Sequence, residues 1–221
     1  MRIRRIELLA TDLDGIARFY GSLLELPVAR ECDSVTVTIG WSTVVFRFGD
    51  ARHGAIHIAF TIPRNQFAEA KEWLASRVDI LLSDGADEFP LEREPWRSRS
   101  LYFRGPDGID LELITRDNLP NDSTEPFSGR SLLNVSEVGR AVPDVPAEVE
   151  RLSRDLGIEP FGNWVDQFAP VGDQEGLFIL VNEGRVWFPT ADALAFGEPD
   201  QIWVTNEKGG PEQRVPSLPN S

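Results

Sequence analysis

A single cysteine, Cys32, leaves no partner for a disulfide within the chain. It stands among Glu31, Asp33 and Ser34, with no His at metal-ligand spacing, and reads as a bystander. Basic residues are scarce: 22 Lys and Arg face 36 Asp and Glu, for a net charge of -14. That deficit argues against nucleic-acid binding through the phosphate backbone and against docking on an anionic membrane. Its plain meaning is a well-solvated surface. Long apolar runs are missing, and the basic start Met1-Arg2-Ile3-Arg4-Arg5 is followed by none that could serve as a signal peptide or membrane span. A cytoplasmic location is therefore expected. Histidine is nearly absent, so any imidazole chemistry rests on His53 or His57. His53 lies in a turn before Gly54 and reads as a surface residue.

What is present is a repeated order of elements. The 221 residues suffice for one or two compact domains. Ile6, Leu8 and Ala10 alternate with Arg5, Glu7 and Leu9, the pattern of a half-buried strand. Thr11 and Asp12 offer helix caps, and Ile16, Phe19, Tyr20, Leu23 and Leu24 follow at helical spacing. Three short strands complete residues 1–50: one at Leu26-Pro27-Val28, one over 35–39 and one over 43–48. The order recurs over 54–116, with a strand to Ile62, a helix carrying Phe67, Ala70, Trp73 and Leu74, and a strand over 78–82. An acidic loop from Asp84 to Glu94 follows, then strands over 100–103 and 109–115 joined by Gly105-Pro106-Asp107-Gly108.

Residues 117–131 read as a linker by their Asn, Pro, Ser and Gly content. A third, less regular unit spans 132–206, with Ile202 to Thr205 as its closing strand, and 207–221 is polar enough to be a flexible tail. One offset aligns the three units. Arg5, His57 and Glu137 each lie seven positions before Asp12, Arg64 and Asp144. The fold class is α+β, built from three βαβββ modules.

Three segments carry a family resemblance. They are Ile6-Glu7-Leu8-Leu9-Ala10-Thr11-Asp12-Leu13 with Arg18-Phe19-Tyr20, then Ile56-His57-Ile58-Ala59-Phe60, then the run from Tyr102 through Gly105-Pro106-Asp107-Gly108 to Glu112 and Leu113. In that order the sequence resembles the vicinal oxygen chelate superfamily, which includes glyoxalase I, extradiol dioxygenases, fosfomycin-modifying enzymes and bleomycin-binding proteins. The resemblance implies that the first two modules pair into an incomplete barrel around a central cavity. It also implies that Glu112 is a metal ligand.

Alternation then selects the residues that reach such a cavity. Arg5 and Glu7 face it from the first strand, His57 from its counterpart, and Asp110 and Glu112 from the strand after the Pro-Asp-Gly turn. The family's usual ligand position on the first strand holds Arg5, a donor-only guanidinium that cannot ligate a metal. Glu7, two residues on, is the substitute. Superposing Gly40 on Gly105 places Arg47 opposite Glu112. Trp41, Trp96 and Phe103 are expected as pocket walls.

Two readings follow. In one, Glu7, His57 and Glu112 hold Fe, Mn, Ni or Zn, and the protein is a metal-dependent lyase or dioxygenase acting on a small oxygen-rich or aromatic substrate. In the other, Arg5 pairs with Glu7 or Glu112, and the pocket binds a small molecule without turnover, as bleomycin-binding members do. Glu137 occupies the His57 position of the third module, but no second ligand is visible in that module, and no metal is assigned there. An unpaired third module predicts a homodimer, with Trp187, Phe188 and Trp203 at its interface.

Overall fold

The computed structural model describes residues 1–50, 54–197, 199–206 and 210–218; the sequence reading of His53 lies outside these described residues. The first module runs β1 (Arg2–Ala10), α1 (Leu13–Ala17), β2 (Val28–Arg30), β3 (Ser34–Ile39) and β4 (Ser42–Phe48). Asp12 caps α1 by accepting the Gly15 N–H, and the helix continues through a wider turn over Arg18–Leu23. The second module comprises β5 (His57–Thr61), α2 (Phe67–Ala75), β6 (Phe89–Leu91), β7 (Ser98–Arg104) and β8 (Asp110–Arg116). The third has β9 (Asn134–Val142), α3 (Val145–Leu156), β10 (Phe168–Asp173) and β11 (Gly176–Asn182). Asp144 caps α3, and Gly157 ends it at φ 64°, a left-handed conformation suited to glycine. Two further strands follow, β12 (Gln201–Thr205) and β13 (Gln213–Arg214).

The strand expected over 78–82 reduces to one bridge, Ile80 to Phe103. The sheet's edge strand is instead β6, inside the stretch read as an acidic loop, where Phe89 and Leu91 pair with Ser100 and Ser98.

The fold is α+β, with two curled sheets assembled from modules. Each module runs its first strand parallel to its last: β1 to β4, β5 to β8 and β9 to β11. The first sheet has the order β13-β12-β1-β4-β3-β2, and the second has β10-β11-β9-β5-β8-β7-β6. Which modules share a sheet differs from the expectation. β5 pairs antiparallel with β9, so the second module joins the third. The free edge of β1 is taken by β12.

Ile202 to Thr205 therefore closes the first module's sheet rather than the third's. The physical reason is a shared core. Ile202 and Val204 are buried with Ile6 and Leu8 of β1, and β12 covers an edge that would otherwise expose unpaired backbone. The tail beyond β12 is also anchored where it is described. β13 pairs with β12, and Val215 enters the core.

The same core takes Ile58 and Phe60 from β5 and Val138 and Val142 from β9, leaving the opposite strand faces for a site. The connection over 117–131 is tied to the start of α2. Asp122 accepts two hydrogen bonds from Arg64, and Asn121 accepts the Arg64 N–H. β9 is paired on both sides, and β10 is the third module's strand at the end of the sheet. No helix among the described residues is long and apolar enough to cross a membrane.

Candidate metal centre

Three strands bring three ligand-type side chains to one point. In the register of the second sheet, Ala59 lies opposite Glu112 of β8 on one side and Glu137 of β9 on the other. Its methyl leaves room between the two carboxylates. His57, two residues earlier on the same face of β5, fills that gap. His57 Nε2 lies 3.3 Å from an oxygen of Glu112 and 3.6 Å from an oxygen of Glu137. One ligand atom from each residue falls within 4.8 Å of the others, and all three residues are buried.

The two carboxylates are held differently. Glu137 accepts a hydrogen bond from Arg116 on its other oxygen, and Arg116 is wholly buried, also donating to the Ser136 hydroxyl at 3.3 Å. Burial alone would raise the Glu137 pKa. His57 and Arg116 outweigh it, and Glu137 is held below the usual carboxylate range. Glu112 neighbours the hydroxyls of Ser100 and Tyr102 rather than a guanidinium. Burial, then the charge of Glu137, pushes its carboxyl up. Burial disfavours a proton on His57, yet hydrogen bonds to both glutamates prevail and lift it to about 10. Burial and the charge of Glu112 also raise Tyr102 well above its ordinary value.

The three ligands lie on the floor of a cavity of about 730 Å³. Its walls include Trp96, Phe168, Trp187 and Phe188, with Arg93 and Arg185 among the lining residues. Trp187 packs on the His57 ring at 5.4 Å and donates from Nε1 to the Ala55 carbonyl. Gly139 makes this approach feasible, since a Cβ there would come within 2.6 Å of the Trp187 ring and 3.0 Å of His57 Cβ.

The structure unites His57 and Glu112, as the sequence suggested, and places Trp96 in the wall. It separates the others. Glu7 belongs to the first sheet, where it is paired with Arg5 and, at 3.2 Å, with Arg47. It lies apart from His57 and Glu112, and the third ligand-type side chain beside them is Glu137. Its own module shows no second ligand in the sequence, and in the structure Ile179 stands opposite Gly139 on β11. The missing partners come from the neighbouring module.

The register also settles the alignment of the first two modules. Leu9 pairs with Arg47 as Ala59 pairs with Glu112, so Arg47 is the counterpart of Glu112 and Glu7 that of His57. The offset that matched Arg5 to His57 is displaced by one pleat.

Arg5 stacks on Trp203 at 5.1 Å, away from the cavity. Trp41 lies under the Arg2 guanidinium at 4.6 Å and lines a separate cleft beside the 117–131 connection. Phe103 is core. Its neighbour Tyr102, opposite Glu112 in the register, takes the cavity face that alternation along β7 assigns to it. Asp110 is fully buried one pleat from Glu112 and does not line the cavity; Arg104 Nη1 approaches it at 3.0 Å. Burial pushes Asp110 up to about 6 against the pull of Arg104. Trp187 comes from a loop with no periodic signal, and only the core cluster reveals its place.

No family model matches the sequence, and no curated protein matches it. Solved structures do. A candidate dioxygenase from Bacillus subtilis superposes with a TM-score of 0.61 at 16% identity, covering 91% of this chain and 69% of that one. Glyoxalase I from Zea mays gives 0.56 at 16% identity, covering 91% and 73%. The chain shares the fold of these two proteins.

Proposed function

We propose that the chain binds one divalent metal ion through His57, Glu112 and Glu137 and acts on a small oxygen-rich or aromatic molecule held in the cavity above them. The observation that carries this reading is the convergence of one imidazole nitrogen and two carboxylates in a buried floor. That donor set suits Fe(II), Mn(II), Ni(II) or Zn(II). Ile179 takes the position that Glu112 has in its own module, so the fourth corner brings no protein ligand and leaves space for a substrate oxygen. A bound metal would supply Lewis-acid polarisation of such an oxygen.

The chain's own residues would do the rest. Arg116 occupies one oxygen of Glu137 and leaves the other to face the site. The Tyr102 hydroxyl, on the residue opposite Glu112 at the cavity wall, is placed to give a proton to a bound ligand or take one from it. Trp187 and Phe188 restrict water, while Arg93 and Arg185 favour a ligand bearing an anionic oxygen.

One observation favours a second reading, a binding protein without turnover. With His57 protonated, two cations (His57 and Arg116) face two carboxylates, and the site is charge-balanced without a metal. Titration of metal-free protein with each of the four ions separates the readings. We expect one equivalent to bind wild type, and binding to be abolished by Glu112→Ala and by His57→Ala. Failure of all four ions to bind would leave the second reading standing.

A further inference from the structure

The imidazole of His57 has a second nitrogen that none of the contacts above uses. Nε2 faces Glu112 and Glu137, whereas Nδ1 is buried and has no hydrogen-bond partner. If Nε2 ligates a metal, Nδ1 must carry the proton, which leaves a buried donor without an acceptor. The adjacent strand offers an acceptor with the complementary deficit. His57 pairs with Asp110 in the parallel register of β5 and β8, so their side chains leave the sheet side by side on the same face. Asp110 is wholly buried, and neither of its carboxylate oxygens has a hydrogen-bond partner. Among the described residues, the one charged side chain paired with it is Arg104, whose other terminal nitrogen pairs with Asp192. Asp192 lies on the same loop as Trp187, the residue stacked on the His57 ring.

We propose that Asp110 is the positioning residue of the centre: it accepts the Nδ1–H of His57 through one bridging water, and so fixes the tautomer and ring orientation that present Nε2 to the metal. Arg104 holds Asp110 from the opposite side and ties it to the loop that roofs the site. A ligating histidine gains basicity and a fixed orientation when its other N–H meets a carboxylate. Two orphaned buried polar groups on adjacent strands, one a donor and the other an acceptor, would both be satisfied by one bridging water. The inference rests on the metal reading above.

The test uses Zn(II) as the probe with wild type, Asp110→Asn and Asp110→Leu, each checked for a wild-type melting profile. Wild type is expected to bind one Zn(II). Asp110→Leu should bind it about 10- to 100-fold more weakly, the range for loss of such an outer partner. Asp110→Asn, which keeps a carbonyl acceptor, should recover part of the loss. Nitrogen-15 spectra of the His57 imidazole supply a readout that a merely structural role would not move. In Zn(II)-loaded wild type and Asp110→Asn, the Nδ1–H should be protected from exchange. In Asp110→Leu it should exchange freely. Unchanged affinity and an unchanged Nδ1–H in Asp110→Leu, with wild type binding normally, would overturn the assignment and leave the metal reading intact. No Zn(II) binding by wild type would instead overturn the metal reading and the assignment together.

Discussion

The two sheets place charged side chains at equivalent pleat positions and neutralise them in opposite ways. On the first sheet, Glu7 and Arg47 stand where His57 and Glu112 stand on the second. Glu7 is satisfied by two guanidiniums, Arg5 and Arg47, whose side chains are 39% and 47% exposed. On the second sheet, two carboxylates share one imidazole, and no side chain of the three is more than 6% exposed. The difference lies in what covers each face. A whole module and the loop bearing Trp187 enclose the second sheet's cavity, whereas only β12 and β13 extend the first sheet beyond β1. The same strand geometry becomes a buried acid–imidazole cluster in one place and, in the other, an ion pair whose guanidiniums reach water, and enclosure decides which.

The largest expected effect tests that difference through stability. Removing Glu137 leaves Arg116 wholly buried with no carboxylate, and breaking a buried pair in this way costs about 3–5 kcal/mol. Removing Glu7 leaves two guanidiniums that water already reaches, at a cost of about 1 kcal/mol or less. Urea denaturation of metal-free Glu137→Ala and Glu7→Ala should show that gap. Equal losses would mean that the two clusters are not distinguished by enclosure.

A smaller contrast appears with pH. In metal-free protein the folded pKa of His57 is raised to about 10, so its contribution is complete below its ordinary 6.5 and is lost as pH rises through about 10. Asp110 is raised to about 6, so its contribution is complete below its ordinary 3.8 and is lost as pH rises through about 6. Both make the second sheet less favourable on the alkaline side. Glu7 runs the other way. Burial opposes its ionisation, but Arg47 and Arg5 lower its pKa, so its contribution is present above 4.5 and lost as pH falls through the lowered value. Metal must displace the His57 proton, so affinity should climb with pH and binding near neutrality should release about one proton. Calorimetry in buffers of differing ionisation enthalpy measures that release. Proton-neutral binding would argue that His57 is not a ligand.

The sequence carried the module pattern and two of the three candidate ligands because both are local signals. Alternation puts His57 and Glu112 on one face of their strands, and the Pro-Asp-Gly turn fixes where β8 begins. What it did not carry is which modules meet. The pairing of β5 with β9 is set by edge satisfaction and a shared core across about 75 residues of chain, which no local period encodes. Within its own module Glu137 stands alone, and nothing local in the sequence tells that Glu7 lies on the other sheet. Trp187 lies on a loop and needs Gly139, on another strand, before it can reach His57.

The smallest expected effect is the sharpest test of enclosure. The variant Glu7→His/Arg47→Glu gives the first sheet the same pair of ligand types, at the same register positions, as His57 and Glu112. A pattern-based view predicts a second metal site. The enclosure view predicts none of comparable affinity. β12 presents Gln201 and Trp203 opposite Glu7 and Arg5, so the equivalent of Glu137 is missing, and Arg5 remains as a competing cation with more than a third of its side chain in water. The side chain at position 47 would stay about half in water, and a two-ligand site open to water holds metal weakly because nothing preorganises it. Zn(II) titration should return the same single equivalent as wild type, with unchanged affinity. A second equivalent of similar affinity would show that register alone builds the centre and that the module and loop over the second sheet serve only to bind substrate.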